Sequence, residues 1–426
     1  MSRIDISETI SMSVLDNGVR VVTDRFPLME SVAMEVAVVA GASSETPTTN
    51  GISHFLEHVL FKDSEGYSSE ARQQRIADAG GFMNGATTKD ATFYQSAILR
   101  EDTLTALDVM GDMLCAPAFK AEQIETERNV ILQEGFCECR RCAHQEAFYE
   151  AAFPGQNLSL PTPGCEKNAK RFTRDDLIAY YREHYVGDNV ILGVSGDVEH
   201  DRIVEAASKA FGSLPQSSAT RRPTFDYVGG ESIVSTRGDQ SVIWFGLPMS
   251  PVITDEYLAE FALCQAFGGG ATARLFQELR EKRGLVYECE ASVRHDGRTP
   301  LMVATAIGDL DEGREIFQYT VEALVATAET LSDDELARAV RSEIASQRMD
   351  RDMASRRIDD AIYSLIYANR IEPPRAEWAQ LLALDAASVR AAGQRLLSRK
   401  PTLAAIGPVR RLPSLGQFFE ADRKAA

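Results

Sequence analysis

The stretch Gly51-Ile52-Ser53-His54-Phe55-Leu56-Glu57-His58 sets two imidazoles four positions apart with a carboxylate beside the second. On a helix, positions i and i+4 lie one above the other on a single face, so His54 and His58 can share one tetrahedral cation. Glu57 then stands next to the metal without having to bind it. The ordinary alternative is an amphipathic helix that happens to carry two surface histidines, so the motif needs further ligands to be read as a metal site.

A hydrolytic zinc takes three protein ligands and leaves its fourth position to water, so a third donor must come from elsewhere in the chain. The reversed order H-x-x-E-H is itself a zinc-peptidase signature. The best source of the missing ligand is Ile124-Glu125-Thr126-Glu127-Arg128-Asn129-Val130-Ile131-Leu132-Gln133-Glu134, a helix-favouring run without glycine or proline. Glu127 and Glu134 fall seven positions apart and share a face. One of them can bind the metal while the other orients a histidine from behind.

With these residues in place the chain resembles the pitrilysin or insulinase family of zinc metallopeptidases, short dimeric members in particular. The likeness continues through Leu15-Asp16-Asn17-Gly18-Val19-Arg20-Val21-Val22, Gly80-Gly81-Phe82-Met83-Asn84, Thr92-Phe93-Tyr94 and Arg274 to Tyr287. It implies His54, His58 and Glu134 as ligands of Zn2+, Glu57 as the general base and Glu127 as outer support. It also implies that Arg280 and Tyr287, seven apart in the second signature, complete the active site, and that Asn84 on a substrate-holding edge strand helps fix the peptide.

Composition agrees with this reading. The chain has 426 residues, 44% of them hydrophobic, and a net charge of −18. Such acidity argues against nucleic acid as a partner, since phosphates need a basic surface. No apolar run is long enough for a membrane span. The amino terminus lacks the apolar core of a secretory signal, and seven cysteines without export suit a reducing compartment, so a cytoplasmic location is expected.

The two halves repeat landmarks about 210 positions apart: Ser31-Val32 against Ser241-Val242, and Gly196 against Gly407. This predicts a duplicated α+β protein, two mixed α/β sandwich domains arranged as a clamshell, and not a doubly wound sheet. The expected division is 1–214 for the zinc-binding domain, 215–228 for a linker rich in Ser and Pro, and 229–426 for a degenerate second copy. In that copy Cys264 takes the place of His54 and no ligand set surrounds it, so the second half contributes Arg280 and Tyr287 instead.

The expected activity is zinc-dependent endopeptidase cleavage of oligopeptides or unfolded segments laid along the 82–99 region as an added strand. A precursor-specific processing peptidase is the first alternative and a non-catalytic structural subunit the second. A homodimer, or a heterodimer with a related chain, is the expected assembly. Gly85 stands where relatives usually have alanine, which predicts a looser edge strand. Cys137, Cys139, Cys142 and His144 form a cluster of soft ligands, yet on a helix Cys137 and Cys139 point about 200° apart and cannot jointly surround one ion. Cys137 is instead expected near the zinc, as a point of oxidation.

Overall fold

The computed structural model describes residues 3–135, 140–216, 222–235, 240–252, 254–308 and 312–407 with positions 409, 412 and 415, the side chains of 140–143 excepted. The chain forms two compact units. The first comprises Met1–Phe136, Leu160–Pro223 and Arg348–Pro373; the second comprises Cys137–Ser159, Thr224–Gln347 and Pro374–Ala426.

Seven strands make the sheet of the first unit: β1 (Arg3–Asp5), β2 (Ile10–Val14), β3 (Arg20–Arg25), β4 (Ser31–Val38), β5 (Phe82–Thr87), β6 (Thr92–Leu99) and β7 (Val190–Gly196). Their order is β1-β2-β3-β7-β4-β6-β5, so β5 lies on an edge. The second unit holds β8 (Gly230–Ser235), β9 (Ser241–Pro248), β10 (Val286–Arg294), β11 (Leu301–Gly308) and β12 (Thr402–Gly407) in the order β10-β11-β9-β12-β8. Read as β3-β7-β4-β6-β5 and β8-β12-β9-β11-β10, the two sheets match pairing by pairing. The first pair is parallel and the other three are antiparallel in each. Gly196 and Gly407 end equivalent strands with φ of 140° and 134°. Two matching sheets covered by helices are the mixed α/β architecture expected from the repeat.

Alternation along β4 builds two apolar layers. Val32, Met34, Val36 and Val38 face a core shared with the helix Ile52–Leu60, whereas Ala37 faces the opposite side. That opposite side is covered by the helix Ala354–Tyr367, whose Ile358, Ile362, Leu365 and Ile366 recur at helical spacing. In the second unit the helix Arg140–Ala152 does the same, setting Phe148, Tyr149 and Ala152 against Val242, Trp244 and Ala404. Each sheet is therefore backed by a helix from the other half of the sequence.

This exchange departs from the contiguous division expected at 1–214 and 229–426. Segment 137–159 belongs with the second sheet and segment 348–373 with the first. The break between Pro223 and Thr224 falls inside the segment 215–228. Hydrophobic spacing shows that a helix has an apolar face but not which of two similar sheets that face will cover. Gly193 of β7 fits the arrangement, because a Cβ there would run into Ile358. No helix is long and apolar enough to cross a membrane, among the described residues.

Candidate metal centre

Ile52, Phe55, Leu56, Val59 and Leu60 point into the core of the first unit, and this apolar stripe fixes the rotation of the helix Ile52–Leu60. His54 and His58 stand on its other face. The helix Ala121–Glu134 is pinned in turn by Ile124 and Ile131, and its buried face carries Glu127. Glu134 is its last residue, followed by Gly135 at φ 77°.

These two helices bring His54, His58 and Glu134 together, the one such set of possible ligands among the described residues. His58 Nε2 lies 3.2 Å from His54 Nε2 and 3.5 Å from Glu134 Oε2, and His54 Nε2 lies 3.7 Å from that oxygen. Ligand atoms about 2.1 Å from a tetrahedral zinc are about 3.4 Å from one another. The three separations bracket that value, so the donor set fits zinc in spacing and in chemistry.

Protonation differs between the two rings. Burial holds His54 neutral, bringing its pKa down to about 4, with the nearby His58 adding to the effect. His58 Nδ1 lies 3.1 Å from Glu127 Oε2, and an Nδ1–H donated to that carboxylate would leave Nε2 to serve as the metal ligand. Burial lowers the His58 pKa, but the hydrogen bond to Glu127 and the charges of Glu134 and Glu57 raise it on balance. Glu127 is buried and also paired with Lys62 Nζ at 2.5 Å. His54 differs: its Nδ1 is buried with no hydrogen-bond partner among the described residues.

Glu57 is 8% exposed, and burial raises its pKa against the pull of a hydrogen bond from Thr87. Thr87 Oγ1 donates to Glu57 Oε2 at 2.5 Å. Thr87 and Lys62 were not singled out in the sequence. The available signal for Thr87 was the two-residue alternation along β5, which puts it on one face with Gly85. A Cβ at Gly85 would come within 2.6 Å of Glu57 Oε1 and 2.8 Å of Phe61. β5 keeps its register with β6 through this position, with Asn84↔Gln95 and Gly85↔Tyr94. Asn84 lies on the outward strand face, exposed, so Thr87 and not Asn84 is the β5 side chain that touches Glu57.

Arg280 and Tyr287 belong to the second unit. Arg280 lies in a π-helical turn, Gln277–Glu281, with its guanidinium 5.1 Å from the centre of the Phe276 ring. Tyr287 is 50% exposed near the start of β10, an edge strand of its sheet. Cys264 is fully buried inside the helix Asp255–Gly268. Cys137 and Cys139 lie outside the described residues, as does the side chain of Cys142, while His144 is buried.

Residues 20–165 match the model of the insulinase family (peptidase family M16), and residues 171–343 match that of the peptidase M16 inactive domain. A protein of Rickettsia felis named as a zinc protease is 27% identical over 95% of this chain and 98% of its own length. A probable mitochondrial-processing peptidase subunit beta of Arabidopsis thaliana is 26% identical over 96% of this chain and 80% of that one. Among solved structures, a protease from Helicobacter pylori superposes with a TM-score of 0.84 at 18% identity, covering 94% of this chain and 99% of the other, which bears on the fold. The matched segments, the duplicated sheets and the paired histidines with their distant glutamate agree, and the chain belongs to the M16 family of zinc metallopeptidases.

Proposed function

We propose that this protein is a zinc endopeptidase that cleaves oligopeptides or unfolded segments bound as an extra strand on the free edge of β5. The observation that carries the reading is the convergence of His54, His58 and Glu134 beside a buried carboxylate, Glu57, that is tied to β5 through Thr87. His54, His58 and Glu134 would hold the metal, and Glu127 would fix the His58 ring. Bound zinc would polarise the scissile carbonyl and acidify the attacking water.

Glu57 then takes a proton from that water and returns it to the leaving amine. Its raised pKa suits both halves of the exchange. Main-chain pairing along β5 imposes an extended peptide but little side-chain preference, which supports broad specificity. Tyr287 is assigned to the developing oxyanion and Arg280 to the substrate backbone or a carboxylate. The assembly proposed is a dimer, with an identical or a related chain.

The test uses purified full-length protein and an unfolded-peptide library. Glu57→Gln is expected to abolish cleavage while one zinc per chain is retained, and chelation is expected to silence the wild type reversibly. Undiminished cleavage by Glu57→Gln overturns the assignment. One sharp cleavage site among many peptides would instead favour a dedicated processing role, the reading to which the plant relative's name points.

A further inference from the structure

The motif helix has an unusual beginning. Its N-cap is Gly51, left-handed at φ 95° and without a side chain to cap the free amides. The carboxylate of Glu45 fills that role from outside the helix. Its Oε1 accepts from Ser53 N at 2.8 Å, and its Oε2 accepts from Gly51 N at 2.8 Å and from Asn50 Nδ2 at 2.9 Å. Glu45 is fully buried, with no cationic partner among the described residues. A buried carboxylate costs free energy unless donors satisfy it, and here every donor belongs to the entry of this one helix.

The same entry is held from other sides. Ser53 Oγ lies 2.7 Å from Tyr180 Oη, and Asn168 Nδ2 donates to the Asn50 carbonyl at 3.0 Å. His54 follows Ser53 directly. Whereas His58 is steered by Glu127 through its ring, His54 has no such partner on Nδ1 among the described residues. With only the Nε2 side of its ring contacted, by His58, His54 depends on the backbone beneath it for its placement.

We infer that Glu45 is a positioning residue of the metal centre, setting the place of His54 by anchoring the amides of Gly51 and Ser53. The inference rests on the metal-site reading above. Glu45→Gln keeps the size of the side chain but turns one acceptor into a donor that faces a backbone N–H. The motif helix then loses an anchor at the turn that carries His54.

The test is a zinc titration of the metal-stripped full-length protein against a chromophoric chelator. Glu45→Gln is expected to weaken zinc binding by about tenfold or more, the scale of a lost ligand-orienting contact. Its kcat should fall while KM stays within about twofold of wild type, because the strand-binding edge is untouched. Asp24→Asn, which disturbs a remote buried ion pair of the same unit, serves as the control and should keep the wild-type zinc affinity. Should Glu45→Gln not fold, Glu45→Asp retains the charge but falls short of the amides, and is expected to bind zinc a few-fold more weakly. A folded Glu45 variant that binds zinc as tightly as wild type overturns the positioning role. A wild type that takes up no zinc overturns the metal-site reading itself, and the two failures are thereby told apart.

Discussion

Thr87 Oγ1 and Glu57 Oε2 are joined by a 2.5 Å hydrogen bond that links the edge strand β5 to the carboxylate beside the paired histidines. Removing the hydroxyl leaves a buried carboxylate short of a donor and free to turn. Thr87→Val is expected to lower kcat by roughly ten- to a hundredfold with little change in KM, and Thr87→Ser to restore most of it. Steady-state kinetics at matched zinc content checks this. A valine variant with full kcat would show that Glu57 does not depend on this contact.

Glu127 touches both His58 Nδ1 and Lys62 Nζ. In Glu127→Ala the His58 ring loses its orienting acceptor and Lys62 its partner. Zinc affinity is expected to drop by roughly ten- to a hundredfold, measured by chelator competition. Glu127→Gln, which keeps an acceptor oxygen, should sit between the alanine variant and wild type.

Asp24 of β3 is fully buried and receives Arg357 Nη1 at 3.1 Å and Arg351 Nη2 at 2.5 Å. Removing one member of such a group strands the others without compensation, at a cost of about 3–5 kcal/mol. Asp24→Ala should show this loss in urea unfolding. Hydrogen exchange should quicken first in Ala354–Tyr367, the helix that the ion pairs fasten to the sheet.

Glu35 lies on β4 beneath that helix, 2% exposed, and burial raises its pKa to about 7 with Asp359 adding to the rise and Gln95 opposing it. The folded protein thus keeps a proton that the unfolded chain releases near its ordinary value of 4.5. Stability from this group is complete below about pH 4.5, declines as pH rises through about 7 and is lost above it, by roughly 3 kcal/mol in all. Glu35→Gln should flatten that part of the profile and be the more stable protein at pH 8. Unfolding curves between pH 5 and 8 that run parallel for the two proteins would contradict the sign.

The histidine pair was legible in the sequence because a four-residue spacing on one helix is a local rule, and the seven-residue spacing on another narrowed the third donor to Glu127 or Glu134, between which the family resemblance chose. The repeat was legible too, since β4 and β9 begin at Ser31 and Ser241 and keep the same length. What escaped was whatever depends on which surfaces meet. Glu45 reads as one more loop acid until it is seen buried against the amides of Gly51 and Ser53. Thr87 becomes notable only once β5 crosses beside Glu57. At Gly85 the sequence shows only a missing side chain, and not that Glu57 and Phe61 hold the space a Cβ would take.

The swapped helices also bear on how the chain is made. While the ribosome has delivered only the first half, the face of β4 and β7 destined for Ile358 and Ile362 stays bare, and the helix Arg140–Ala152 has no sheet to settle on. Neither unit can finish folding until translation has passed Tyr367. Gene fragments cut between Pro223 and Thr224 should therefore yield insoluble halves when expressed singly and recover only when produced together.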